Sequence, residues 1–352
     1  MNKKYYILAI AGFLYGISGT LVVAQPIERI HFNMSLLESD CIFTDKTLPK
    51  FLAEAYNEKK FKNEDFNSET CLNATKMGTE GSFNTLQLFL VTSTCRPGKK
   101  SMYIIKEARE GLKEATSLQE IAAIPGMKEL LAPNTPPKGL PNIALPLAYF
   151  SYGLENSGNQ YGQPPIHYIA AMPAAKGKAL CEVVTAYRDN KSVQNADQIK
   201  RAYKILGNEL ANFHKRFKIA HGDFHCFNVF FDGMHCTFID NETMAEHKKD
   251  LSDDIVKPFL AFFSTTESDA RKNIIKGIDL KVWHDLAFKN YIEGYLDAYK
   301  PDEQKKVFQD LKKMFNSNNT FPWLKISAAE LQKIRTTYIN PVFAEIEKKR
   351  FA

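Results

Sequence analysis

The sequence predicts an α+β fold in which strands crowd the first half and helices fill the second. Three observations carry this expectation. β-prone runs recur at Leu86–Thr92 (LQLFLVT), Ser101–Lys106 (SMYIIK), within Ile143–Tyr152 (IALPLAYFSY) and at His167–Met172 (HYIAAM), with Gly- and Pro-bearing turns between them. Later segments instead place apolar residues at three- and four-residue steps, as at Ala202, Ile205, Leu206, Leu210, Phe213 and Phe217. Between Phe231 and Cys236, Asp232-Gly233 separates two apolar runs, the signature of a β-hairpin turn.

The chain has 352 residues, 44% hydrophobic and 24% charged, which is globular composition with ample length for a core. A formal net charge of +6, spread along the chain, argues against a nucleic-acid partner. Lys3 and Lys4 precede an apolar run from Tyr5 to Ala24 that closes in small residues before Gln25-Pro26. That pattern predicts a secretory signal peptide over residues 1–24, cleaved after Ala24, and a secreted or secretory-pathway location. The run is also near the roughly 20 residues that span a bilayer, so an uncleaved single-pass anchor, and with it a membrane partner, is the alternative.

Six cysteines follow: Cys41, Cys71, Cys95, Cys181, Cys226 and Cys236. In an exported chain they predict at least one disulfide, and none has Cys-x-x-Cys metal spacing. Sequons stand at Asn33, Asn73, Asn190, Asn241 and Asn318.

Residues 25–75 read as an N-terminal extension packed on the main body. Its helix-patterned stretch Leu48–Phe61 is bracketed by Cys41 and Cys71, which are placed to be stapled together. Residues 76–173 carry the strands. Gly78, Gly81 and Ser82 precede the first, where small residues let backbone N–H groups approach a phosphate, although Gly-x-x-Gly also marks plain turns. A turn at Arg96-Pro97-Gly98 leads to the strand ending in Lys106, and Gly111–Ile124 reads as a helix bearing Glu114 and Glu120. After a loop-rich stretch, His167–Met172 and a small-residue turn set a boundary near Pro173. Residues 174–352 are mainly helical, with a long helix over Asp197–Phe217. His214 on it reads as a packed or surface residue, and Asp253 and Asp254 as acids of a helix's first turn.

The chemistry concentrates in His221–Glu242 (HGDFHCFNVFFDGMHCTFIDNE). The hairpin brings Asp240 back beside the loop bearing Asp223 and Asn228, so three oxygen-bearing side chains converge. Carboxylate and amide oxygens together suit Mg²⁺, a hard cation that also binds substrate phosphates. A glycan on Asn241, inside this motif, would obstruct it.

This stretch resembles the catalytic and metal loops of the protein-kinase-like superfamily. It is closest to the aminoglycoside phosphotransferase and choline kinase branch, where His-Gly-Asp replaces His-Arg-Asp. The resemblance covers about residues 77–265. It implies a two-lobed fold, with a small antiparallel-sheet N-lobe and a mainly helical C-lobe, binding ATP and Mg²⁺, with Mn²⁺ as the alternative ion. Asp223 would accept or position the proton of an attacking hydroxyl, and His225 would touch the transferred phosphate if protonated. Asn228 and Asp240 would hold the metal with help from Glu242, and His221 would brace the loop. Lys106 would grip the phosphates under the loop at Gly78–Ser82, paired with Glu114 or, failing that, Glu120. Backbone groups of Met172 and Ala174 would meet the adenine edge.

The resemblance thus implies phosphorylation of a hydroxyl on a protein, glycan or small molecule. The export signal favours a secretory-pathway or host protein or glycan. A pseudokinase scaffold and an AMP transferase on the same fold are the alternatives.

Overall fold

The computed structural model of the chain describes residues 28–34, 43–58, 63–78, 85–108, 111–131, 135–154, 166–245, 251–260, 274–317 and 326–352. The expectations for the leader (residues 1–24), Cys41, Gly81 and Ser82 lie outside these residues, as does the Glu114 side chain. No helix among the described residues is long and apolar enough to cross a membrane.

The chain is α+β, as its pattern predicts. Strands β1 (Glu28–Met34), β2 (Leu72–Met77), β3 (Thr85–Ser93), β4 (Ser101–Ala108), β6 (Ala148–Leu154) and β7 (Ile166–Pro173) form one sheet in the order β1-β6-β7-β4-β3-β2. Every pairing in it is antiparallel except that of β1 with β6. A smaller sheet takes β5 (Asn142–Ile143), β10 (Cys236–Phe238), β9 (Val229–Phe231) and β8 (Lys178–Ala179), in that order. The stretch read as one strand over 143–152 is divided between the two sheets. Pro146 has no N–H to give, and its flanks bond in different directions: Ala144 N–H to the Phe238 carbonyl at 2.9 Å, Leu147 N–H to the Ala171 carbonyl at 2.7 Å.

Residues 25–75 are more than an extension. β1 and β2 are the two outer strands of the large sheet, and the boundary drawn at residue 75 runs through β2. Helix α1 (Thr47–Asn57) covers the sheet's back. Its Leu48, Phe51, Leu52 and Ala55 pack with Phe66 against Phe89, Val91, Tyr103, Ile105, Ile169 and Ala171. Behind the same face, Asp65 pairs with Arg96 Nε at 2.7 Å and accepts the Tyr103 hydroxyl. Burial and the neighbouring carboxylate push the Tyr103 hydroxyl up to about 12.

The disulfide joins Cys71 to Cys95, with Cα atoms 5.0 Å apart, so the staple expected between Cys41 and Cys71 is not formed. The reason is register: Leu72 lies opposite Ser93, which brings the residues just past each strand end together. Cys181, Cys226 and Cys236 remain buried thiols.

Helices α2 (Gly111–Ala122) and α3 (Leu180–Asp189) follow β4 and β8, the strands they lean on, and α4 (Val193–Phe217) follows α3. α4 begins four residues earlier than its apolar spacing predicts, because the Ser192 side chain accepts the Asn195 N–H and caps it there. It crosses helix Lys289–Asp297 at backbone contact. A Cβ on Gly207 would lie 2.1 Å from the Tyr291 carbonyl oxygen, and one on Gly294 would lie 1.9 Å from that of Lys204. Helix α5 (Leu251–Leu260), residues 280–297, Pro301–Asn316 and residues 328–351 complete the helical half around one large core.

Candidate active site

The hairpin forms where the sequence places it, with Cys236 opposite Phe231 and Phe238 opposite Val229. The Asp232 side chain accepts the Met234 and His235 N–H groups, each at 2.8 Å, and so closes the turn. Beyond the ladder, Ile239 N–H bonds the Asn228 carbonyl at 3.0 Å. This fixes the strand leading to Asp240 beside the loop bearing Asp223.

That loop is held from beneath. Asp254 of α5 is fully buried and accepts the His221 N–H at 2.6 Å and the Gly222 N–H at 2.9 Å, with His214 Nε2 at 3.1 Å. Burial works against its charge, but the hydrogen bond and charge of His214 and the nearby His221 hold its carboxyl below the ordinary range. Asp254 is a first-turn acid of α5, as expected, and in addition it anchors the loop backbone. His214 is a packed residue, as expected. His221 braces the loop through Nε2, 2.9 Å from the Ile239 carbonyl, while Nδ1 accepts the Asp223 N–H at 3.3 Å. A carbonyl can only accept, so the proton sits on Nε2, and burial lowers the ring's pKa.

Asp223 is clasped from two sides. Lys257 of α5 reaches Oδ1 at 2.6 Å, and His225 Nε2 lies 3.3 Å from Oδ2. Burial alone would raise the carboxyl. The His225 hydrogen bond and charge, with the Lys257 ammonium, outweigh it and hold Asp223 well below the usual carboxylate range. Asn228 turns its NH₂ toward this loop, 3.0 Å from the Asp223 carbonyl and 3.2 Å from His225 Nε2, which leaves its amide oxygen as a donor atom for a cation.

Asp240 differs. It adopts φ +60°, a left-handed conformation that Asp tolerates better than most residues, and its side chain is 40% exposed. Its Oδ1 meets Lys106 Nζ at 3.1 Å. Lys106 belongs to β4, whose alternate residues Met102 and Ile104 face the same way. With Leu88, Leu90 and Met172 from neighbouring strands, they roof a cavity of about 470 Å³. Gly78, Ala174, Asn228, Asp240 and Glu242 line it too. Two carboxylates and one amide make a hard-oxygen donor set too small to enclose an ion. Among the described residues no three His, Cys, Asp or Glu side chains gather as a metal cage. Such an incomplete set fits Mg²⁺, which keeps waters and takes further oxygens from a phosphate.

Two expected contacts change. Ala174 lines the cavity, but its N–H is donated to the Met102 carbonyl at 2.9 Å and is not available to a ligand. Met172 lies opposite Ile104 in the same bonded alternation, so its backbone also faces β4. The Ala171 carbonyl bonds Leu147 on the opposite side, and alternation turns the Pro173 carbonyl that way as well. Glu120 is solvent-exposed. Asn241 is 1% exposed, with its amide donated to the Ala144 and Phe238 carbonyls, so its sequon is closed to a glycan in the folded chain.

No family model matches the chain, and no curated protein matches it in sequence. What the site can do chemically is therefore read from its own residues. It offers an ammonium and two carboxylates at one end of an apolar cavity, beside a third carboxylate held ionised and apart. Lys257 is the member that the sequence did not reveal. It stands 34 positions from Asp223, in a segment whose pattern announces only a helix.

Proposed function

We propose that the chain is a kinase: it transfers the terminal phosphoryl group of ATP to a hydroxyl, on a two-lobed protein-kinase-like frame. The observation carrying this reading is the placement of charge around one cavity. Lys106 and Asp240 meet at 3.1 Å beside Asn228, while Asp223 stands one loop away in its own clasp. The apolar roof of Leu90, Ile104 and Met172 suits a purine, and the Pro173 carbonyl is the acceptor for its exocyclic amine. Lys106 would exchange Asp240 for phosphate oxygens, with Glu114 of α2 as its acid partner because Glu120 is exposed. Gly78 opens the phosphate side.

Asn228, Asp240 and Glu242 would hold Mg²⁺, which neutralises phosphate charge when bound. Asp223 accepts a hydrogen bond from the acceptor hydroxyl and aligns its oxygen with the terminal phosphorus. As the new O–P bond forms and the bond to the leaving ADP oxygen breaks, the hydroxyl proton passes through Asp223 to solvent. His225 supplies positive charge beside this transfer when protonated. The gain comes from alignment and charge. The Cys71–Cys95 bridge supports an oxidising compartment, and hence a secretory-pathway or host protein or glycan as acceptor over a small molecule.

The test is incubation of the purified chain with ATP labelled at the α or the γ position and a panel of protein, glycan and small-molecule hydroxyl acceptors. Transfer of γ label alone is expected, and Asp223→Ala should lower it by about 10³-fold while nucleotide binding persists. Transfer of α label would mean AMP transfer. Binding with no transfer to any acceptor would mean a nucleotide-binding scaffold.

A further inference from the structure

Asp240 and Asp223 of this site each meet a different lysine: Asp240 is paired with Lys106 from the sheet, and Asp223 with Lys257 from α5. The second pair is the shorter, at 2.6 Å against 3.1 Å. Among the described residues, Asp223 is the ion-pair partner of Lys257. α5 also carries Asp254, one turn earlier, which fixes the backbone of His221 and Gly222. One helix therefore sets both where the Asp223 backbone lies and where its carboxylate points.

We infer that Lys257 is a positioning residue that holds the Asp223 carboxylate away from the metal and toward the acceptor hydroxyl. The inference rests on the kinase reading above. Asp223 is 35% exposed on its side chain, and Asn228 Nδ2 lies 3.5 Å from its Oδ2. A divalent cation held by Asn228 and Asp240 would draw in a neighbouring carboxylate that was free to turn. An ammonium at hydrogen-bond distance on Oδ1 opposes that turn by a short charge-assisted bond. His225, 3.3 Å from Oδ2, lies within the loop itself and moves with it, so it cannot replace an anchor from another element. The roles then separate: Asp240, Asn228 and Glu242 for the metal, Asp223 for the acceptor.

The experiment compares wild type, Lys257→Met and Lys257→Arg in kcat, KM for acceptor, Mg²⁺ dependence, calorimetric ATP binding and thermal midpoint. For Lys257→Met, kcat should fall about 10- to 100-fold while ATP affinity and thermal midpoint stay near wild type. Half-saturation by Mg²⁺ should move to lower concentration as Asp223 joins the ion, and Lys257→Arg should restore most of kcat. A Lys257→Met enzyme with wild-type kcat overturns the inference and leaves the kinase reading standing. So does a loss of kcat matched by equal losses in ATP binding and thermal midpoint, which would mark a structural role. Wild-type protein that transfers phosphate to no acceptor overturns the kinase reading and this inference with it.

Discussion

The two faces of the six-stranded sheet are built from alternate residues of the same strands, yet they have opposite characters. On the back, Phe89, Val91, Tyr103 and Ile105 are buried beneath α1, and Asp65 there pairs with Arg96 and accepts the Tyr103 hydroxyl. On the front, Leu88, Leu90, Met102 and Ile104 stay only partly covered and roof the cavity into which Lys106 reaches. The period of two lets one strand serve stability and a ligand site at once. Changes at neighbouring positions should therefore be read by different measurements.

The largest effect belongs to the back. Phe89→Ala empties a site that is 2% exposed and should cost about 3–5 kcal/mol in denaturant unfolding, with the activity of the folded fraction unchanged. A loss of activity at constant stability would break the comparison. Next, replacing Cys71 and Cys95 together by Ala releases a loop of 24-residue separation and should cost about 3 kcal/mol, again without altering nucleotide affinity. Lys106→Met tests the front face. Its long apolar stem keeps the packing, so unfolding should change little, while nucleotide affinity should fall about tenfold from the loss of one charge-assisted contact. A large drop in stability with intact binding would assign Lys106 to the core instead.

A pH effect is expected away from both faces. Burial pushes the carboxyl of Glu209 up to about 8 from its ordinary 4.5, against the Cys236 N–H that it accepts at 2.8 Å. Between those values the folded chain keeps a proton that the unfolded chain releases, so stability falls as pH rises from about 4.5 to about 8. Glu209→Gln removes this slope. Its thermal midpoint should gain on wild type steadily across that range, whereas a constant difference would contradict the assignment.

What the sequence revealed follows from how far each signal reaches. The hairpin was legible because Asp232-Gly233 and its flanking apolar runs are local, and α4 because its apolar stripe repeats over many turns. Lys106 was placed on the right strand by its distance from one turn, although β4 runs on to Ala108 rather than ending at the lysine. Other features depend on tertiary neighbours and leave no local mark. Lys257 is one solvated-looking lysine until α5 docks against the loop, and Asp254 looks like any first-turn acid until it receives two backbone N–H groups. The pairing of Cys71 with Cys95 is fixed by the β2–β3 register, which spacing along the chain does not disclose. The backbone groups of Met172 and Ala174 turn toward β4 because which neighbour a strand's backbone serves depends on that same kind of register.

The central claim is that Asn228 and Asp240 hold a cation that carries a nucleotide in this cavity. Calorimetric titration of ATP, with and without Mg²⁺, into wild type and into the Asn228→Ala/Asp240→Asn double variant tests it most directly. Binding to wild type should depend on Mg²⁺, and that dependence should vanish in the double variant. Wild type that does not bind ATP, or a double variant that binds Mg²⁺-ATP as tightly as wild type, would contradict the account.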